Sequence, residues 1–117
     1  MKNILLLITL TAAVLLTSCS TKKEVKPPRE SIMNNIKAEV QSFGEDRWLS
    51  NEVYFNKEIN SLVIKISVSP LANNLAIKGY CNQLQQIYYD NLQSRKFLGM
   101  IFQGGKKIKS ITENTRC

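Results

Sequence analysis

Residues 62–92 read LVIKISVSPLANNLAIKGYCNQLQQIYYDNL, and the change of period inside this stretch decides the fold class. At its start Leu62, Ile64, Ile66 and Val68 share one face, with Lys65 and Ser67 on the other, a period of two that belongs to a half-buried strand. From Ala76 the period lengthens. At about 100° per residue, Ala76, Ile77, Tyr80, Cys81, Leu84, Ile87, Tyr88 and Leu92 form one stripe, and Lys78, Gln83, Gln85, Gln86, Asp90 and Gln93 fall outside it. Ser69 can cap this helix and Pro70 fits its first turn, where a missing N–H costs nothing. The helix is expected to run to about residue 93 and to pack its stripe on a sheet. Cys81 and Tyr88 then face inward and Tyr89 faces water.

Upstream, Val53 and Phe55 mark a strand over residues 52–56, and residues 57–61 suit a hairpin loop. Before it, Ile32, Ile36 and Val40 sit four apart with Met33 and Phe43 at neighbouring spacing, which predicts a helix over residues 30–43. Gly44 suits the left-handed position that ends a helix. Residues 45–50, with the only tryptophan, read as a polar connection. Downstream, Leu98, Met100 and Phe102 alternate over residues 96–103, and Gly104 and Gly105 supply a two-residue hairpin turn. The return over residues 106–112 places Ile108 and Ile111 off the strict period, which predicts a bulge or an edge strand. The order helix, strand, strand, helix, strand, strand gives an α+β domain over residues 30–117: a small antiparallel sheet of two hairpins packed by two helices.

The front of the chain is of another kind. Residues 4–16 are an apolar run preceded by Lys2. A span of hydrocarbon needs about 20 apolar residues, so this run has the length of a signal-peptide core instead. It ends in Leu16-Thr17-Ser18-Cys19, which resembles the lipobox of bacterial lipoproteins. The resemblance implies that residues 1–18 are a signal peptide and that Cys19 carries diacylglycerol on its sulfur and a further acyl chain on its new amine. No other cofactor is expected. One buried chain binds only marginally, at about 0.8 kcal/mol per methylene, and two or three hold firmly. By the family's sorting rule Ser20, in place of Asp, favours the outer membrane, facing the periplasm. Residues 20–29 are charged and contain Pro27 and Pro28, and so read as an extended tether reaching ~30 Å.

In that oxidising compartment the remaining pair, Cys81 and Cys117, reads as a disulfide. A metal site is not expected, since the chain has no histidine and these two cysteines form no short ligand pair. Catalysis ranks last for related reasons. The commonest general base is absent, Glu45 and Asp46 read as loop solvation, and two glycines are too few for a phosphate loop. The formal charge is +7, and loss of Lys2 with the signal would leave +6. An exported domain of that charge meets anionic head groups or an acidic protein surface rather than nucleic acid, and no small-molecule substrate is evident. Arg95, Lys96, Lys106, Lys107, Lys109 and Arg116 stand against one acid, Glu113, in the last 23 residues. Two readings of them stand side by side: an electrostatic contact surface, or charge that keeps an edge strand from pairing with another chain.

The body, over residues 31–117, resembles the β-containing pilotins of type II secretion. The likeness lies in a leading helix, a hairpin ending Leu62-Val63-Ile64-Lys65-Ile66-Ser67-Val68, Cys81 in the next helix, and a last strand closing on Asn114-Thr115-Arg116-Cys117. It implies a lipoprotein that binds a short segment of a secretin subunit, in a groove between helix and sheet, and carries it to the outer membrane. The alternative within binding proteins is a protective lipoprotein: an immunity, inhibitor or exclusion factor that blocks a toxin, hydrolase or incoming element. A structural spacer is a third class. In each the partner is another envelope protein.

Overall fold

The computed structural model describes residues 26–92 and 95–117. The signal segment, Cys19 and residues 20–25 of the expected tether lie outside the described residues, as does Gln93. The elements are α1 (Glu30–Gly44), β1 (Trp48–Asn56), β2 (Ser61–Val68), α2 (Asn74–Asn91), β3 (Lys96–Gln103) and β4 (Lys106–Thr112). Among the described residues no helix is long and apolar enough to cross a membrane.

The strands form one sheet in the order β1-β2-β3-β4. β1 pairs antiparallel with β2, and β3 with β4, so both expected hairpins form. The seam between them is parallel, with Leu62 opposite Phe97 and Val68 opposite Gln103. This corrects the expected wholly antiparallel sheet within an α+β order that holds. The reason is length. At about 1.5 Å per residue the 18 residues of α2 cover ~27 Å, and at about 3.3 Å per residue the eight of β2 cover ~26 Å. One helix therefore returns the chain to the end where β2 began, and β3 must run alongside it.

Both helices lie on one face. Leu62, Ile64, Ile66 and Val68 of β2, Phe97 and Ile101 of β3 and Ile111 of β4 pack against Ile36 and Val40 of α1 and Cys81, Leu84, Ile87 and Tyr88 of α2. The stripe read from the wheel is thus the packed face of α2. Leu98, Met100 and Phe102 point to the other, open face, beside Val63 and the Glu52–Lys65 ion pair (3.9 Å). Across the helices, Asn35 Nδ2 donates to Asn91 Oδ1 (2.6 Å) and Asn91 Nδ2 donates to Glu39 Oε2, which ties α1 to the last turn of α2.

Each edge strand carries a one-residue bulge. In β1 the register slips between Trp48 and Ser50, leaving Leu49 unpaired; in β4 it slips beside Ile101 and Phe102, leaving Ile108 unpaired. The first bulge explains an element that simple alternation misses. Trp48 and Val53 are five positions apart and would face opposite sides of a regular strand, yet both are buried in the core. Residues 45–50 are therefore not wholly a polar connection, because β1 begins at Trp48. The tryptophan also resets the role of Gly44. That residue has no positive φ; a Cβ on it would lie 1.8 Å from Trp48 Nε1, so glycine is needed for close approach and not for a left-handed helix end.

The start of α2 differs in the same local way. Residues 69–72 form a β-turn, with Ala72 N donating to Ser69 O (3.0 Å) and Leu71 N to Ser69 Oγ (3.1 Å). The helix cap is Asn73, whose Oδ1 accepts from Ala76 N (2.8 Å). Pro70 suits the second place of a turn as well as the first turn of a helix, since both want φ near −65°.

We expect Gly44→Ala to destabilise the domain by about 1–3 kcal/mol, the usual range for overpacking, read as a shift in the urea midpoint. Tyr88 supplies a pH test. Its ring stacks on Phe97 at 5.1 Å and its hydroxyl donates to Arg95 O. Burial first, then the charges of Glu113 and Tyr89, push the phenol above its ordinary pKa of 10.0. A raised folded value means that stability holds below pH 10 and is lost as pH climbs from there through the folded value. Tyr88→Phe should cost about 1 kcal/mol at neutral pH, and its deficit should narrow above pH 10 in parallel denaturant titrations.

Candidate binding site

A groove runs between the first turns of α2 and edge strand β4, with a volume of about 450 Å³. Its apolar lining is Ile77, from the inner stripe of α2, and Ile108, the residue turned out by the β4 bulge. Lys78 and Lys109 stand on opposite walls, and Asn74 and Gln103 complete the end nearest the hairpin turn. The nearest acids along these elements, Asp90 and Glu113, belong to the opposite end, where α2 finishes and Glu113 Oε1 accepts from Phe97 N (3.0 Å). The groove is therefore apolar below and positive at both rims.

Two devices hold it open at a fixed width. At one end Gln103 Nε2 donates to Ser69 O (2.9 Å) and Ala72 O (3.1 Å), fastening the entry of α2 to the hairpin. At the other is the covalent bridge Cys81–Cys117, with Cα atoms 5.8 Å apart and 36 positions between them, as the sequence reading expected. Cys117 itself lines the groove, and Cys81 is fully buried beneath it. Gln85 adds a noncovalent clasp: its Nε2 donates to Thr112 O (2.9 Å) and Thr115 O (2.7 Å), so the residues after β4 are drawn onto α2. In the chain-entropy account a loop of this size contributes about 3.5–4 kcal/mol.

The six basic residues of the last segment do not make one surface. Arg95 lies over the Phe55 ring at 5.3 Å and donates to Asn60 Oδ1 (3.3 Å), a packing role at the end of the sheet where β3 begins. Lys96 shares that end, seven positions or ~23 Å of strand from Gln103. Lys106 and Lys107 flank the turn at the opposite end, opposite Gln103 and Phe102, and Lys109 reaches the groove. Arg116 is exposed beside the disulfide. Sequence proximity joined them; the hairpin separates them by its own length.

Gln103 and Gln85 were not among the expected site residues. Gln103 had a legible signal, because it shares the inward parity of Phe97 and Ile101, and a polar residue on that face needs partners. Gln85 had none, since its partners are carbonyls 27 and 30 positions away. Glu45 and Asp46 are exposed, and among the described residues no three of His, Cys, Asp and Glu gather as a metal site. Tyr89 is half-exposed, its hydroxyl donating to Glu113 O (3.3 Å).

The chain matches no family model, no curated protein and no solved structure.

Removing the fastening at the mouth should loosen it without unfolding the domain. Gln103→Ala is expected to cost about 1–2 kcal/mol and to speed amide exchange at Ala72 and in the first turn of α2, while exchange in β2 stays slow.

Proposed function

We propose that this is a lipid-anchored envelope protein, held at the outer membrane through Cys19, that binds a short segment of another envelope protein in the α2–β4 groove. Its most concrete form is a pilotin, which takes up a secretin segment for delivery to the outer membrane. The observation that carries the binding half is a groove between helix and sheet edge, with Ile77 and Ile108 inside, Lys78 and Lys109 at its rims, and a disulfide fixing its width. A preset width means that little ordering accompanies binding, which favours affinity for a small contact. The apolar floor suits one or two aliphatic side chains, and the lysines suit acidic residues flanking them. The lipobox at Leu16-Thr17-Ser18-Cys19 supports the anchoring half.

Deleting the gene should reduce secretin multimers in the outer membrane, and restoring it with Cys19→Ala or with Lys78→Glu plus Lys109→Glu should fail to recover them. The last variant must keep the parental circular dichroism, since both lysines sit at a rim. Multimers that persist in the deletion strain would overturn the pilotin form. Abolition of a cognate toxin's activity by the soluble domain, with multimers unchanged, would move the assignment to a protective lipoprotein.

A further inference from the structure

The end of the domain where α2 begins carries a second surface, next to the groove and sharing Lys78 and Lys109 with it. Among the described residues, five of the seven exposed large hydrophobic ones lie at this end: Phe43, Leu49, Leu71, Leu75 and Ile108. Ile108 opens into the groove and Phe43 is covered in part by the Arg47 guanidinium, 5.9 Å from its ring centre. Leu49, Leu71 and Leu75 have no such account. They are 72, 91 and 77% exposed. Each is held out by a local device rather than left out by chance: Leu49 by the β1 bulge, Leu71 by the β-turn at residues 69–72, and Leu75 by the first turn of α2 after the Asn73 cap. The turn is fastened to Gln103, and Gln103 pairs in register with Lys106, so the leucines and the lysines of the hairpin belong to one rigid end.

The charge there is uneven. Lys78, Lys106, Lys107 and Lys109 stand on the α2–β4 side, and Glu45 and Asp46 stand on the β1 side across the width of the sheet. Leucines this exposed on a turn and a helix start project from the surface; they do not line a pocket that a rigid partner would fill. Projecting aliphatic side chains with long basic ones along one side fit a deformable anionic layer, where the leucines enter the acyl boundary and the ammonium groups stay among phosphates.

We infer that this end docks on an anionic phospholipid bilayer, giving the domain a second membrane contact besides the Cys19 lipid. The tether joins the domain at the far end, since α1 begins near the close of α2. Its ten residues would reach ~31 Å extended, about the ~27 Å length of α2, so one bilayer can receive both contacts. Anchor and leucine end together would lay the domain along the membrane surface.

The test uses the chain from Ser20 onward without lipid; it contains every described residue of the core, from Ile32 to Cys117. It is sedimented with vesicles of phosphatidylcholine, with or without phosphatidylglycerol. Binding is expected on the anionic vesicles and not on phosphatidylcholine alone. Leu71→Ser with Leu75→Ser, and separately Lys106→Glu with Lys107→Glu, should each weaken it roughly tenfold or more while circular dichroism is unchanged. Because every variant keeps the tether lysines, equal binding by the leucine variant would assign the affinity to the tether and overturn the proposal. So would equal binding to both vesicle types, or none to either. Loss of a protein partner by the leucine variant, with vesicle binding intact, would make this end a protein contact instead. Lys78→Glu plus Lys109→Glu reverses two of the four lysines of this end and should weaken vesicle binding as well. Leu71→Ser with Leu75→Ser lies outside the groove lining and should still restore secretin multimers, so failure of either proposal leaves the other standing.

Discussion

Helix α2 packs over β3 and β4 and is bonded through Cys81 to the residue that closes the C-terminal segment. Its position is fixed at three levels of strength. Apolar packing of Leu84, Ile87 and Tyr88 sets its face, the Gln85 clasp and the Asn91–Glu39 contact set its rotation and tilt, and the disulfide sets its distance from β4. A domain this small buries a modest share of its surface, so the covalent member matters more than it would in a larger core. The groove exists because these constraints leave a gap between the first half of α2 and an edge strand that its own bulge bends away.

Most of the architecture was legible in the chain because it rests on local periodicity. The alternation of Leu62, Ile64, Ile66 and Val68 and the stripe from Ala76 to Leu92 identify the two central elements, and Gly104 and Gly105, at φ 62° and 81°, make the expected turn. The off-period isoleucines correctly pointed to a bulge. What escaped was set by relations between distant residues. Strand direction depends on how far α2 travels, and no period records that. The β1 bulge hides Trp48 from any alternation count. Gly44 looked like a conformational glycine, whereas its reason is an indole four residues on.

The candidate site was legible only in fragments. Cys81 and Cys117 could be paired by counting, and Ile108 could be flagged as irregular. Their convergence with Ile77 and Gln103 depends on the crossover. The basic segment shows the opposite failure: of six charges close in sequence, Arg95 and Lys96 fall at one end of the hairpin, Lys106 and Lys107 at the other, Lys109 mid-strand and Arg116 beyond it, because a strand of eight residues outreaches any side chain.

In the proposed account the parts divide the labour by position. A lipid at Cys19 fixes the compartment, the oxidising surroundings permit the bridge, and the bridge holds a groove of set width for a partner's segment. That dependence makes the state of the three cysteines the most direct measurement. Protein extracted from its native membrane is denatured, treated with an alkylating reagent without reduction, and weighed intact. The account predicts acyl mass on Cys19 at a new amino terminus and no alkyl adduct on Cys81 or Cys117. Adducts on both of those residues, or an unacylated terminus upstream of Cys19, would contradict it.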